Sequence, residues 1–150
     1  MSRNWEGIVV HHSASPGKVW GSEGCRNISV GDIRRWHVDQ NFGDIGYHYV
    51  IDSDGFICKG RETDQIGAHC RADRKNHTSI GICVVGNFQY DSPSEIQMSS
   101  LVMLVRYLKE EYGIPDKMIE LHGNVAGAQT LCPGKFFPKD YFYNEIKEEF

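Results

Sequence analysis

The sequence lacks an apolar run long enough to cross a bilayer, for which a helix needs about 20 residues. Its first apolar run, Ile8-Val9-Val10, follows the polar start Met1-Ser2-Arg3-Asn4-Trp5-Glu6-Gly7 and is too short for a signal peptide. Synthesis as a cytoplasmic chain without a membrane partner is therefore the expectation. An excess of one charge is also missing. The formal net charge is -4 and no basic run stands out, so nothing electrostatic calls for nucleic acid. Repeats, low-complexity tracts and interdomain linkers are absent. The five cysteines (Cys25, Cys58, Cys70, Cys83 and Cys132) are odd in number and scattered, which argues against a disulfide framework. Cys58 and Cys83, in apolar strand-like runs, read as small buried hydrophobes or free thiols.

What remains is an ordinary globular composition, 40% hydrophobic and 24% charged over 150 residues. A chain of this size buries enough surface for its own core, so one monomeric domain spanning 1–150 is expected. Residues 8–12 read as a buried strand ending in two histidines. Pro16, Gly17, Gly21 and Gly24 mark 16–28 as a loop. Ser29 can cap a helix whose Val30, Ile33, Trp36 and His37 share one face, ending before Gly43. Residues 47–51 and 56–58 read as strands around the turn Asp52-Ser53-Asp54-Gly55. A polar loop over 61–78 precedes a strand at 80–85. The capping-box spacing of Ser92 and Glu95, with Pro93 between, predicts a helix from Ser92 to Tyr112, with Leu101, Leu104, Val105 and Leu108 as its apolar stripe. Gly113 and Pro115 stop it. A strand at 118–122, a loop at 123–135 and a helix at 138–149 follow. Strands alternating with helices predict an α/β domain, a central mixed sheet flanked by helices.

Seven histidines stand out in a chain of this length. His37, on a helix face, reads as a packing residue, and His77, in a polar loop, as solvated. His11 and His122 each follow a hydrophobic strand where a loop begins. Cys132 lies ten residues after His122, across a loop of small and polar residues that can turn back on itself. Two imidazoles and a thiolate suit Zn²⁺, and three protein ligands leave a fourth position open, the form of a catalytic site. His12 and His48 adjoin His11 and Tyr47 in strand runs, where neighbours face opposite ways, so packing or a supporting hydrogen bond is their ordinary role.

Six ordered motifs then carry a resemblance over nearly the whole chain. They are Ile8-Val9-Val10-His11-His12-Ser13-Ala14, Ile33-Arg34-Arg35-Trp36-His37, Asp44-Ile45-Gly46-Tyr47-His48-Tyr49, Gly67-Ala68-His69, Asn76-His77-Thr78-Ser79-Ile80-Gly81-Ile82, and His122 with Thr130-Leu131-Cys132-Pro133-Gly134. The sequence resembles the zinc amidases of the phage T7 lysozyme type, which share their fold with the peptidoglycan recognition proteins. That resemblance implies one zinc per chain, held by His11, His122 and Cys132 at strand ends in a groove. It implies that Tyr47 is catalytic, that Thr130 stands at an oxyanion-donor position, and that His69 and Asn76 line the substrate groove. The implied reaction is hydrolysis of the amide between N-acetylmuramic acid and L-alanine in peptidoglycan. An endolysin, acting on the wall after release, and a cytoplasmic wall-recycling amidase both fit. Three rivals stand beside this: a recognition module that binds without cutting, a thiol hydrolase with Cys132 as nucleophile, and a regulatory protein, for which nothing in the sequence shows a surface.

Overall fold

The computed structural model describes residues 4–21 and 24–147, with side chains given outside 18–26. Glu148 and Glu149, expected in the last helix, and the Cys25 side chain lie outside the described residues.

Continuous apolar runs build the centre of the sheet. Strand β1 (Gly7–His12) is buried at all six positions. It pairs in parallel with β6 (Ser79–Val84) on one side and β7 (Ile119–Leu121) on the other. Strand β4 (Tyr49–Ile51) adds in parallel to β6, and β5 (Ile57–Lys59) pairs antiparallel with β4. The order is β5-β4-β6-β1-β7, a mixed five-stranded sheet as the sequence predicts. Continuous burial along β1 and β6 is what a strand covered on both faces requires.

Along β1, Ile8 and Val10 join the main core with Leu101, Leu104, Val105 and Leu108 of helix α3 (Glu95–Tyr112) and Phe142 of helix α4 (Lys139–Ile146). Val9 packs the opposite way, against Cys70 and Val125. A second cluster on the sheet gathers Ile28, Ile33, Ile45, Val50, Cys83 and Val85 near helix α1 (Val30–Asp39). His11 is thus aimed at the Val9 face by strand pleating alone.

Helix α1 starts where expected: Ser29 Oγ accepts from Asp32 N at 3.2 Å, and Asp32 Oδ2 accepts from Ser29 N at 2.8 Å. Four expectations change. Residues 16–28 are not only loop: β2 (Lys18–Gly21) and β3 (Gly24–Asn27) form a separate antiparallel ribbon. Its glycines mark the turn region, and backbone pairing of two short segments leaves no hydrophobic period to read. The strand expected at 47–51 begins at Tyr49, so Tyr47 precedes it. Within the expected 61–78 loop, a 3-10 turn at Ala72–Arg74 leads into a short helix α2 (Lys75–Thr78). Lys75, buried, anchors it through a 2.7 Å ion pair to Glu120 of β7.

The fourth change is the start of α3. Ser92-Pro93-Ser94-Glu95-Ile96-Gln97 holds two overlapping capping-box patterns, and the second one forms. Ser94 Oγ accepts from Gln97 N and Gln97 Oε1 from Ser94 N, both at 3.1 Å. Gln97 wins because it is buried and its amide also donates to Val85 O at 2.8 Å and Asp52 O at 3.1 Å. Glu95, exposed, has no such neighbours to satisfy a buried charge. Ser94→Ala should therefore cost about 1 kcal/mol in urea unfolding, while Ser92→Ala at an exposed site should change stability by less than about 0.5 kcal/mol; the reverse order would mean that the first box caps the helix.

Candidate metal centre

Three chain segments meet at one end of the sheet. His11 comes from β1, His122 follows β7 in a 3-10 turn, and Cys132 returns on the loop beyond it. Gly123 makes the return possible. A Cβ there would lie 2.8 Å from Thr130 O and 2.9 Å from Cys132 O, backbone atoms that cannot swing away. Instead Gly123 N donates to Cys132 O at 2.7 Å and closes the loop. As a result one ligand atom from each of His11, His122 and Cys132 lies within 4.8 Å of the others. This is the only such metal-capable cluster among the described residues. His11 Nδ1 faces Cys132 Sγ at 3.8 Å, and the His11 and His122 rings lie 4.5 Å apart.

Electrostatics suit this donor set to a divalent cation. Burial, reinforced by the neighbouring histidines, pushes His11 well below its ordinary pKa, and burial lowers His122. Both imidazoles are neutral at pH 7, as ligands must be. Burial pushes the Cys132 thiol up to about 12, against the smaller downward pull of the His12 N–H, which lies 3.3 Å from Sγ. Without a cation that thiol stays protonated at pH 7, a poor nucleophile, which counts against a thiol hydrolase.

The cluster borders a groove of about 750 Å³ whose lining includes Tyr47, His69, Asn76, His122 and Thr130. Tyr47 sits 5.0 Å from the His11 ring, centroid to centroid. Burial, then the neighbouring Cys83 and Cys132, raises its phenol well above the ordinary value, so it remains an O–H donor at any working pH. Thr130 Oγ1 accepts from Cys132 N at 3.2 Å, which shapes the ligand loop and still leaves the hydroxyl proton to donate. Asn76 Oδ1 accepts from His69 N at 2.6 Å and Cys70 N at 2.7 Å, so its carbonyl holds the groove wall and only its amide N–H groups remain for a substrate.

His69 lines the groove, and its ring is also bonded on both sides within the fold. Its ring is buried; Nδ1 meets His11 Nε2 at 3.0 Å and Nε2 meets Ser79 O at 3.0 Å. His12 turns away, its Nδ1 accepting from Phe88 N at 3.0 Å. His48 is also structural: Nδ1 accepts from Gly81 N at 3.1 Å and Nε2 donates to Gln65 O at 2.9 Å. His37 does more than pack. It accepts from Gly46 N at 2.8 Å, and its ring lies 5.2 Å from that of Tyr47, steadying the segment that carries the tyrosine. Only the fold reveals this, because His37 and Gly46 sit on different elements.

Comparison with known proteins identifies the family. The family model described as N-acetylmuramoyl-L-alanine amidase matches residues 1–135. The endolysins of Enterobacteria phage T3 and Escherichia phage T7 are each 32% identical over 146 residues, covering 94% of this chain and 88% of theirs. Among solved structures, the N-acetylmuramoyl-L-alanine amidase LysC from Clostridium intestinale URNW superposes with a TM-score of 0.81 at 31% identity, over 95% of this chain and 85% of that one. With a central mixed sheet, a groove at its strand ends and this likeness along almost its full length, the chain belongs to the N-acetylmuramoyl-L-alanine amidase family.

Proposed function

We propose that the protein is a zinc-dependent, endolysin-like amidase that acts as one monomeric domain on peptidoglycan, cutting between N-acetylmuramic acid and L-alanine. The observation that carries this reading is the convergence of two neutral imidazoles and a thiol at the edge of a groove, in a chain of the amidase family. No helix of the described residues is long and apolar enough to cross a membrane.

The donor set fits zinc: nitrogen and sulfur ligands, three in number, the count typical of a catalytic site. His11, His122 and Cys132 would hold it. Zinc bound there supplies Lewis acidity, polarising a carbonyl and making water acidic enough to attack an amide at neutral pH. The remaining work falls to the chain. Asn76 and the backbone around it shape the groove wall that orients the substrate. Attack on the amide carbonyl builds negative charge on its oxygen, and a donor held ready for that charge lowers the barrier. The Tyr47 hydroxyl is such a donor, kept protonated by burial and braced between the His11 and His37 rings. Thr130 offers a second hydroxyl across the groove.

Digestion of purified peptidoglycan tests the reaction. New amino groups of L-alanine with intact glycan strands are expected. New reducing sugar ends, or activity that survives a chelator but not a thiol-alkylating reagent, would overturn it. Tyr47→Phe should lower kcat by about a hundredfold or more with zinc content and peptidoglycan binding little changed. A silent Tyr47→Phe in the zinc-loaded protein would remove the tyrosine from the chemistry. Proton release on metal binding provides a third check. The imidazoles are already neutral at pH 7 and the Cys132 thiol, at about 12, is not ionised, so calorimetry in buffers of different ionisation enthalpy should record at least one proton released per zinc. No release would mean that the thiol is not a ligand.

A further inference from the structure

His69 is buried, carries two nitrogens and is not needed as a ligand or donor in the proposed reaction. Its ring is clamped. A Cβ at Gly81 on β6 would come within 2.5 Å of His69 Cγ and Cδ2, and one at Gly67 within 2.5 Å of Cδ2. Both neighbouring positions are glycine, so backbone approaches the ring where any side chain would collide with it. Turning it over would exchange each nitrogen for a carbon and lose both of its hydrogen bonds.

The clamped ring sits in series between a carbonyl and a candidate ligand. A neutral imidazole has one N–H and one lone pair. Ser79 O can only accept, so His69 Nε2 carries the proton and donates across 3.0 Å. His69 Nδ1 then has the lone pair, and its 3.0 Å contact with His11 Nε2 is a hydrogen bond only if His11 donates. His11 Nδ1 is left with its own lone pair, and that atom is the one 3.8 Å from Cys132 Sγ. Among neutral rings every other assignment sets two protons or two lone pairs against each other. Neutrality follows from burial, with His11 1% and His69 8% exposed.

We propose that His69 is a positioning residue: the chain from Ser79 O through His69 to His11 fixes the His11 tautomer and ring angle so that Nδ1 is offered to the metal. This rests on the metal reading above. It gives the motif Gly67-Ala68-His69 and the glycine of Ile80-Gly81-Ile82 one shared purpose. Supporting partners of this kind typically contribute about 10- to 100-fold in metal affinity.

Wild-type protein allows a direct test. Long-range proton–nitrogen correlation spectra of histidine-labelled, zinc-loaded protein should show His69 protonated at Nε2 and His11 protonated at Nε2 and bound through Nδ1. Two substitutions add a second readout. His69→Asn places an acceptor where Nδ1 stood and should keep zinc affinity near wild type in chelator competition. His69→Gln reaches the Nε2 position, serves Ser79 and not His11, and should weaken affinity about 10- to 100-fold. A ring that merely fills space would make the smaller Asn the worse replacement. His11 bound through Nε2, or Gln holding zinc as well as Asn, would overturn the relay. Wild-type protein that takes up no zinc would instead overturn the metal reading beneath it. Should a variant fail to fold, the wild-type spectra still decide.

Discussion

The parallel pairing of β1 with both β6 and β7 is the constraint on which the site depends. It fixes the register of His11 opposite Cys83 and brings the end of β7, hence His122, alongside. It also sets which way His11 points. A slip of one residue would send His11 into the α3 core and His12 toward the groove. The core therefore specifies the site: Ile8 and Val10 cannot leave the packed face without exposing apolar area, and while they stay, His11 faces the cation position.

Around that fixed strand the donor set is costly without a cation and well matched with one. Three buried or half-buried imidazoles and a thiol share one end of the sheet, and each is driven toward its neutral form by burial. Burial pushes His69 down to about 3, so it stands beside His11 without adding a charge. A divalent cation reverses the situation for the thiol, making the anion the favoured state. The same low-dielectric setting that penalises an ionised Cys132 without a cation strengthens its bond to a metal and strengthens a Tyr47 hydrogen bond to developing negative charge.

Much of this was legible in the sequence, and the gaps have physical causes. The strands at 8–12 and 80–85 carried unbroken apolar runs, and Leu101, Leu104, Val105 and Leu108 kept helical spacing, so sheet and long helix could be read. His11, His122 and Cys132 could be singled out because each stands where a strand gives way to a loop or beside Pro133-Gly134. The small, polar loop after His122 showed that the chain can turn back there; the part played by Gly123, which lets the loop fold on its own carbonyls, was not legible. The competition between Ser92 and Ser94 was hidden because it is settled by what Gln97 reaches across the fold. His69 was assigned to the groove by motif; its partners, His11 and Ser79, come from two different strands and appear only in three dimensions.

Metal content is the most direct measure of the central claim. After dialysis, elemental analysis of the purified protein should find one zinc per chain, and Cys132→Ala prepared the same way should have lost most of it. A zinc-free wild type, or a Cys132→Ala variant that keeps its full complement, would contradict the account.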